Sequence, residues 1–288
     1  MTRAKDAYLE SLAGRVVLVT GAARGLGLAM ARGAAQAGAT VIFADVDADA
    51  LGALGLQEAS AGKAPATISI DIADFESCRA GVASCLERFG RIDVLVNNAG
   101  RGPNFVTDGG PGASLKFWEA DPLRWGQLIQ TNVVGTFYMS HCAAQGMVPQ
   151  GFGRIINVST SLATMYRAQG SPYGVSKAAI ETETMIWARD LEGSGVTVNA
   201  LLPGGAVDTD FVSPSTREAA RAGKAMLLEA QIMVEPMLWL ASNASSALSG
   251  ARLVASRWAL DQPLEERIRR AVEEPVLRGS SILKGGKP

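Results

Sequence analysis

The sequence predicts a doubly wound α/β fold, a parallel sheet covered by helices on both faces, and three observations predict it. Short β-branched runs alternate with longer helix-like stretches over most of the chain. The runs are continuously apolar rather than alternating, which is the pattern of strands buried on both sides. The composition, 48% apolar and 19% charged with 32 glycines, suits a compact chain with many tight turns and not a disordered one. In folds of this kind ligands bind at the carboxyl ends of the strands.

Arg15–Thr20 reads as the first buried strand, followed by a small-residue helix from Gly25 to Ala37. Thr40–Ala44 is a second strand with a helix over Asp47–Ser60, and Ala66–Ile70 a third with a helix over Phe75–Phe89. Asp93–Val96 is the fourth strand. A helix over Leu123–Gln145, a strand at Arg154–Val158, a helix at Pro172–Leu191 and strands at Val196–Leu201 and Arg252–Ala255 continue the alternation. Two stretches break it. Arg101–Asp121 is rich in Gly, Pro and polar residues and long for a strand-to-helix connection. Asp208–Glu229 is also irregular, and both are expected to govern substrate choice. Beyond Trp258, Gln262–Val272 reads as one charged helix and Glu273–Pro288 as loosely ordered. The chain is read as one domain over 1–260, with substrate loops at 101–121 and 208–229 and a C-terminal extension over 261–288.

Composition excludes several function classes. The net charge is −1 and no basic stripe stands ready to neutralise phosphates, so a nucleic-acid partner is not expected. Cys78, Cys85 and Cys142 form no CxxC pair, and His141 is the one histidine of the chain. Zinc catalysis takes three or four N, S or O ligands, so no metal site is expected. An odd cysteine count argues against a disulfide framework and for a reducing, cytoplasmic setting. The N-terminal stretch carries early charges and its first apolar run is a short strand, not a signal-peptide core. With no run of about 18 apolar residues, no membrane span is expected.

The segment Thr20–Gly27, TGAARGLG, lies between the first strand and the first helix. Glycines there allow a sharp turn and let the backbone approach a pyrophosphate with no Cβ in the way. The helix behind it aims unpaired N–H groups and its positive end at the phosphates. Asp45 ends the second strand, where a carboxylate accepts hydrogen bonds from the adenosine ribose hydroxyls and repels a 2′-phosphate. Its alternative reading is a turn or helix-cap aspartate. Arg24 pulls toward a 2′-phosphate, but a carboxylate in direct contact outweighs a solvated arginine, so NAD is favoured over NADP.

Tyr173 and Lys177 are four residues apart on a predicted helix and therefore share a face. A free tyrosine titrates at about 10, too high for easy proton exchange at neutral pH. A nearby ammonium is expected to lower that value and make the phenol a usable general base or acid. An isolated YxxxK also occurs on solvated helix faces; following a dinucleotide turn, it points to catalysis.

These motifs, with NNAG at Asn97–Gly100, Asn132 and PGGAVDT at Pro203–Thr209, occur in an order and spacing that resembles the short-chain dehydrogenase/reductase family over residues 10–255. The resemblance implies a Rossmann-type sandwich with a seven-stranded parallel sheet of order 3-2-1-4-5-6-7, usually in a homodimer or homotetramer. It implies cofactor contacts from Gly21, Arg24, Gly25, Leu26, Gly27, Asp45 and Val46. Asp71 and Ile72 would meet adenine, where the alternative is an ordinary helix start before Asp74. Asn98, Ala99 and Gly100 would pass beneath the cofactor, Lys177 would hold the nicotinamide ribose, and Pro203, Gly204, Val207 and Thr209 would meet the carboxamide and phosphate side. Asn132 would keep a water in a proton relay, and Tyr173 would exchange the proton.

The chain departs from the family pattern in three places. The substrate-orienting serine is replaced by Thr160, which keeps the hydroxyl and adds a restricting methyl; Ser161 could take the role through a one-residue bulge. PGGAVDT has one residue more than usual, and Ala255–Trp258 replaces the common VDGG ending, so the oligomer interface built there in relatives is expected to differ. The activity implied is NAD-dependent interconversion of a secondary alcohol and a ketone. The alternatives are an NADP-dependent 3-oxoacyl-type carbonyl reductase and an NAD-binding sensor or scaffold without turnover; a sugar-nucleotide epimerase or dehydratase shares the YxxxK logic but with another glycine spacing. His141 and Cys142 read as packing residues, and Phe117, Trp118 and Trp125 as either the substrate mouth or core.

Overall fold

The computed structural model describes residues 12–60, 65–106, 115–209, 211–212 and 214–273. The first half repeats a strand-helix unit: β1 (Val16–Thr20), α1 (Gly25–Gln36), β2 (Thr40–Asp45), α2 (Ala48–Ser60), β3 (Ala66–Ser69), α3 (Phe75–Phe89) and β4 (Val94–Asn97). The second half holds α4 (Pro122–Ile129), α5 (Gly135–Gln150), β5 (Gly153–Val158), α6 (Leu162–Met165), α7 (Tyr173–Asp190) and β6 (Val196–Leu202). It closes with α8 (Pro214–Arg221), α9 (Val234–Ala241), β7 (Arg252–Val254), α10 (Leu264–Ala271) and β8 (Val272–Glu273).

The strands form one sheet in the order β3-β2-β1-β4-β5-β6-β7-β8. All neighbouring pairs are parallel except β7–β8, which is antiparallel and places Glu273 opposite Arg252. The seven expected parallel strands are therefore present in the expected order, and an eighth, antiparallel strand is added to them. Each face carries its own core. On one, Met30 and Ala34 of α1 and Trp239 of α9 pack on Val17, Val19 and Leu253; on the other, Val82 of α3 and Met139 and Met147 of α5 pack on Leu18, Ile42 and Ile155. Burying an aliphatic or aromatic side chain of this size contributes about 1.5–3 kcal/mol each, so adjacent strand residues, facing opposite cores, both stabilise the sheet.

Three local readings need correction, and one helix was not foreseen. The helix expected over Leu123–Gln145 is two helices joined by a π-helical turn at Gln130–Val134. The extra residue in that turn brings the Asn132 carboxamide onto the backbone of Arg101. The stretch 208–229 is not wholly irregular, because Pro214–Arg221 forms α8. Residues 234–241 form a helix, although VEPMLWLA shows no polar face to betray one; nearly all of it is buried. Finally, the charged helix ends at Ala271, and Val272–Glu273 pair with β7 rather than continuing as helix or loose tail. The rest of the tail, 274–288, and residues 107–114 of the first loop expected to govern substrate choice lie outside the described residues.

Candidate active site

The carboxyl ends of β1 and β4 are laced together. Thr20 is buried, and its hydroxyl accepts hydrogen bonds from the backbone N–H groups of Asn98 and Ala99, both at 3.1 Å. The Asn98 carboxamide donates to the carbonyls of Thr20 and Gly21, both at 3.0 Å. Gly21 and Gly25 take left-handed φ values of +64° and +58°. A Cβ on Gly21 would lie 2.8 Å from the Ala99 Cα, and one on Gly27 only 2.1 Å from the Gly21 carbonyl. No side chain caps the first turn of α1 and no acidic residue stands in it, so its N–H groups and positive end face the turn. Thr209 comes within 3.3 Å of the position of a Gly25 Cβ, closing the turn from the other side. A bare backbone cradle at a helix N-terminus fits a pyrophosphate. Leu26 leans instead on the core beneath α1.

Asp45 is half-buried and braces this turn: its carboxylate accepts from the N–H of Ala23 and of Asp47, both at 3.1 Å. The helix cap nearby is Asp47, which accepts from Ala50 N–H at 3.0 Å, so Asp45 is not itself that cap. Arg24 is ion-paired with Asp47, and Val46 is exposed. Asp71 closes a local turn onto Ala73 N–H at 2.9 Å, and Ile72 is buried against Gly135. They follow Ser69 and Ile70, which pair with Asp45 at the end of β2.

Tyr173 opens α7 and Lys177 follows one turn later, buried, with Nζ donating to the Val158 carbonyl at the end of β5 at 2.8 Å. Nζ lies 5.8 Å from the centre of the Tyr173 ring. The Thr160 side chain lies close enough to the Tyr173 phenol to lower its pKa against the effect of burial. Ser161, in contrast, caps α6: its hydroxyl meets Thr164 Oγ1 at 2.9 Å and accepts from Thr164 N–H at 3.3 Å. Of the two candidates the structure brings Thr160 to the phenol. Asn132 is buried; its Oδ1 accepts from Arg101 N–H at 2.7 Å, and its Nδ2 donates to the Arg101 carbonyl at 3.0 Å and to Ser176 Oγ at 3.1 Å. It thereby ties the loop after β4, including Gly100, to α7.

The electrostatics differ from expectation. Burial pushes the Tyr173 phenol up to about 12, with the Thr160 side chain opposing. Burial brings Lys177 down to about 8, partly offset by the Glu181 carboxylate. The expected lowering of the phenol by its ammonium neighbour is not found: burial sets the direction, and Thr160 is what opposes it.

The remaining predicted positions line the rim. Pro203 accepts from Ser256 N–H at 3.0 Å, and Gly204 has φ +83° with no room for a Cβ beside the Ser256 hydroxyl. Val207 is buried and bridges to Leu228. Arg217 of α8 donates to the Thr209 carbonyl at 2.8 Å, which holds α8 over this rim. Phe117 and Trp118 are 73% and 66% exposed, so they are not core. Trp125 donates to Ser171 Oγ at 3.1 Å, two residues before Tyr173. His141 lies between Phe75 and Phe137.

Sequence reasoning missed a buried charged chain behind the site. Glu181, one turn after Lys177, accepts from Ser159 Oγ at 2.7 Å and from Arg252 Nε at 2.9 Å. Arg252 Nη2 donates to the Thr160 carbonyl at 2.9 Å, and Nη1 pairs with Glu273. The signal available was a single arginine inside the apolar strand pattern RLV, with the four-residue spacing of Glu181 from Lys177. A cavity of about 740 Å³ lies at the amino ends of β5 to β7, between Met185, Arg189, Thr197 and Leu248, and includes none of the predicted site residues. Among the described residues no helix is long and apolar enough to cross a membrane, and no group of three metal-ligating side chains stands together.

Residues 15–220 match the short chain dehydrogenase family. A cis-4-hydroxycyclohexanecarboxylate dehydrogenase of Sinomonas cyclohexanicum is 35% identical over 251 residues, 85% of this chain and 96% of that protein. The crystal structure of a gluconate 5-dehydrogenase from Burkholderia cenocepacia, in complex with NADP and tartrate, superposes with a TM-score of 0.76 at 27% identity, covering 86% of this chain and 96% of the other. An NAD⁺-bound xylitol dehydrogenase shares the fold, with a TM-score of 0.72 at 24% identity over 84% of this chain and 98% of that one. The chain belongs to the short-chain dehydrogenase/reductase family. It is an oxidoreductase of that family, acting on CH–OH groups with a nicotinamide cofactor.

Proposed function

We propose that the protein is an NAD-dependent dehydrogenase that interconverts a secondary alcohol and a ketone, with Tyr173 as the proton-transferring group. The observation that carries this reading is the meeting of the Tyr173 phenol, the Thr160 hydroxyl and the Lys177 ammonium at the end of β5. The nicotinamide, when bound, supplies the hydride acceptor in oxidation and the donor in reduction. Gly21, Gly25 and Gly27 with the start of α1 would hold its pyrophosphate, and Asp45 its adenosine ribose.

In the alcohol-oxidising direction Tyr173 takes the hydroxyl proton and Thr160 holds the substrate oxygen by a hydrogen bond. In reduction a phenol pushed up to about 12 stays protonated and serves as the acid. The Lys177 ammonium is the group that would favour a phenolate in oxidation, and a pKa of about 8 keeps it largely charged at neutral pH and neutralises it in mild alkali. Asn132 and Ser176 fix the loop after β4 against α7, so the two halves of the cleft keep their spacing.

Preference for NAD rests on Asp45 standing at the end of β2 while Arg24 is engaged with Asp47. A thermal-shift titration with NAD and NADP tests it, since a ligand at 100 times its Kd stabilises by about 2.7 kcal/mol. Stabilisation by NADP alone would remove Asp45 from this role. Tyr173→Phe is expected to keep NAD binding and lose at least about a hundredfold in kcat, the low end of what general acid–base catalysis contributes. Undiminished turnover would sink the mechanism, and NAD binding without turnover of any alcohol or ketone by the unaltered protein would favour a sensor.

A further inference from the structure

Three consecutive residues at the end of β5 are each held by a different charged side chain. Lys177 Nζ takes the Val158 carbonyl at 2.8 Å, Glu181 takes the Ser159 hydroxyl at 2.7 Å, and Arg252 Nη2 takes the Thr160 carbonyl at 2.9 Å. The Thr160 side chain that meets the Tyr173 phenol therefore hangs from a backbone fixed by ionic groups. A cavity of about 240 Å³ borders the next residue, Ser161, and is also lined by Leu162, Gly204, Arg252, Ser256 and Glu273.

Arg252 is the hub. It is 3% exposed, and its planar guanidinium spends Nε on Glu181, Nη2 on Thr160 and Nη1 on Glu273. A rigid fork of this kind has its orientation set by its anionic partners. Glu181 fixes one corner from within the core. The other corner is fixed by Glu273, which lies directly opposite Arg252 across the β7–β8 pair and also holds Arg257. If Glu273 loses its charge, a buried guanidinium is left undercompensated, and it satisfies itself by turning toward Glu181, whose second carboxylate oxygen is buried without a hydrogen-bond partner. That rotation withdraws the donor from the Thr160 carbonyl.

We propose that Glu273, through Arg252, is a positioning residue for Thr160, so that the last strand of the C-terminal extension completes the substrate-orienting side of the active site. The assignment of Thr160 to substrate rests on the function proposed above; the mechanical link from Glu273 to Thr160 does not.

The test uses the full-length protein and its Glu273→Gln and Glu273→Asp variants. Amide hydrogen exchange is read over residues 159–161, with β1 as internal reference. Glu273→Gln is expected to speed exchange at 159–161 at least tenfold, to leave β1 and the NAD-induced thermal shift unchanged, and to lower kcat/KM for the alcohol at least fivefold. Glu273→Asp, which keeps the charge, is expected to recover most of both losses. Unchanged exchange at 159–161 in a folded Glu273→Gln protein overturns the proposal, as does a loss of thermal stability with kcat and KM both unaltered. Absence of turnover in the unaltered protein would count against the proposed function alone, because the exchange comparison still decides whether Glu273 holds Thr160.

Discussion

Glu183 sits on α7 two residues beyond Glu181 and has no anionic duty in the charged chain. Burial pushes its carboxyl up to about 7, and one of its oxygens has no hydrogen-bond partner. Its folded-state value lies above the ordinary 4.5, so between those two values the folded protein binds more protons than the unfolded one. Stability therefore falls as pH rises through that window. Glu183→Gln is expected to raise Tm at pH 8 and to bring little gain at pH 4.5, which a thermal melt at both values would check; an equal gain at both would show that ionisation is not the cause. At this scale the sequence disclosed the groups whose chemistry is local. Tyr173, Lys177 and the glycines declare themselves by spacing within one element. Arg252 and Glu181 could not, because their contacts join residues 71 apart, and Arg252 and Thr160 are 92 apart. The direction of the Tyr173 shift was equally hidden, since desolvation depends on what the fold packs around the ring.

The glycine turn is the element on which cofactor binding depends. Its tightness makes a further outcome expected: Gly27→Ala places a methyl 2.1 Å from the Gly21 carbonyl, a backbone atom that cannot swing aside as a side chain would. Overpacking of that kind costs about 1–3 kcal/mol, so the variant should melt lower and lose the NAD-induced shift, as differential scanning fluorimetry would report. An unchanged shift would mean that the pyrophosphate does not lie on this turn. The strands and long helices of the first half were readable because uninterrupted apolar runs and helix-length gaps are unambiguous in a doubly wound sheet. The departures have separate physical causes. A π-helical turn looks like helix in any periodicity, α9 has Glu235 as its one polar residue and so shows no amphipathic period, and α8 is a polar helix held in place by Arg217 and Thr209 rather than by a core face.

For the molecule as a whole, the order of the sheet followed from the family resemblance, and the eighth strand did not. Nothing in Val272–Glu273 reads as a strand on its own; two residues become one only because β7 offers them unpaired backbone groups. That pairing has an effect well away from catalysis. The outer margin of a sheet is a template on which a neighbouring molecule can lay down a strand of its own. Here two residues of the same chain already occupy that template, and a charged pair at Arg252 and Glu273 fastens them. A protein shortened to end at Ala271 would present a naked margin and is expected to form larger particles than the full chain in sedimentation velocity. Particles of identical size would mean that this margin is harmless when bare. The short closing strand thus doubles as a guard against adhesion between molecules.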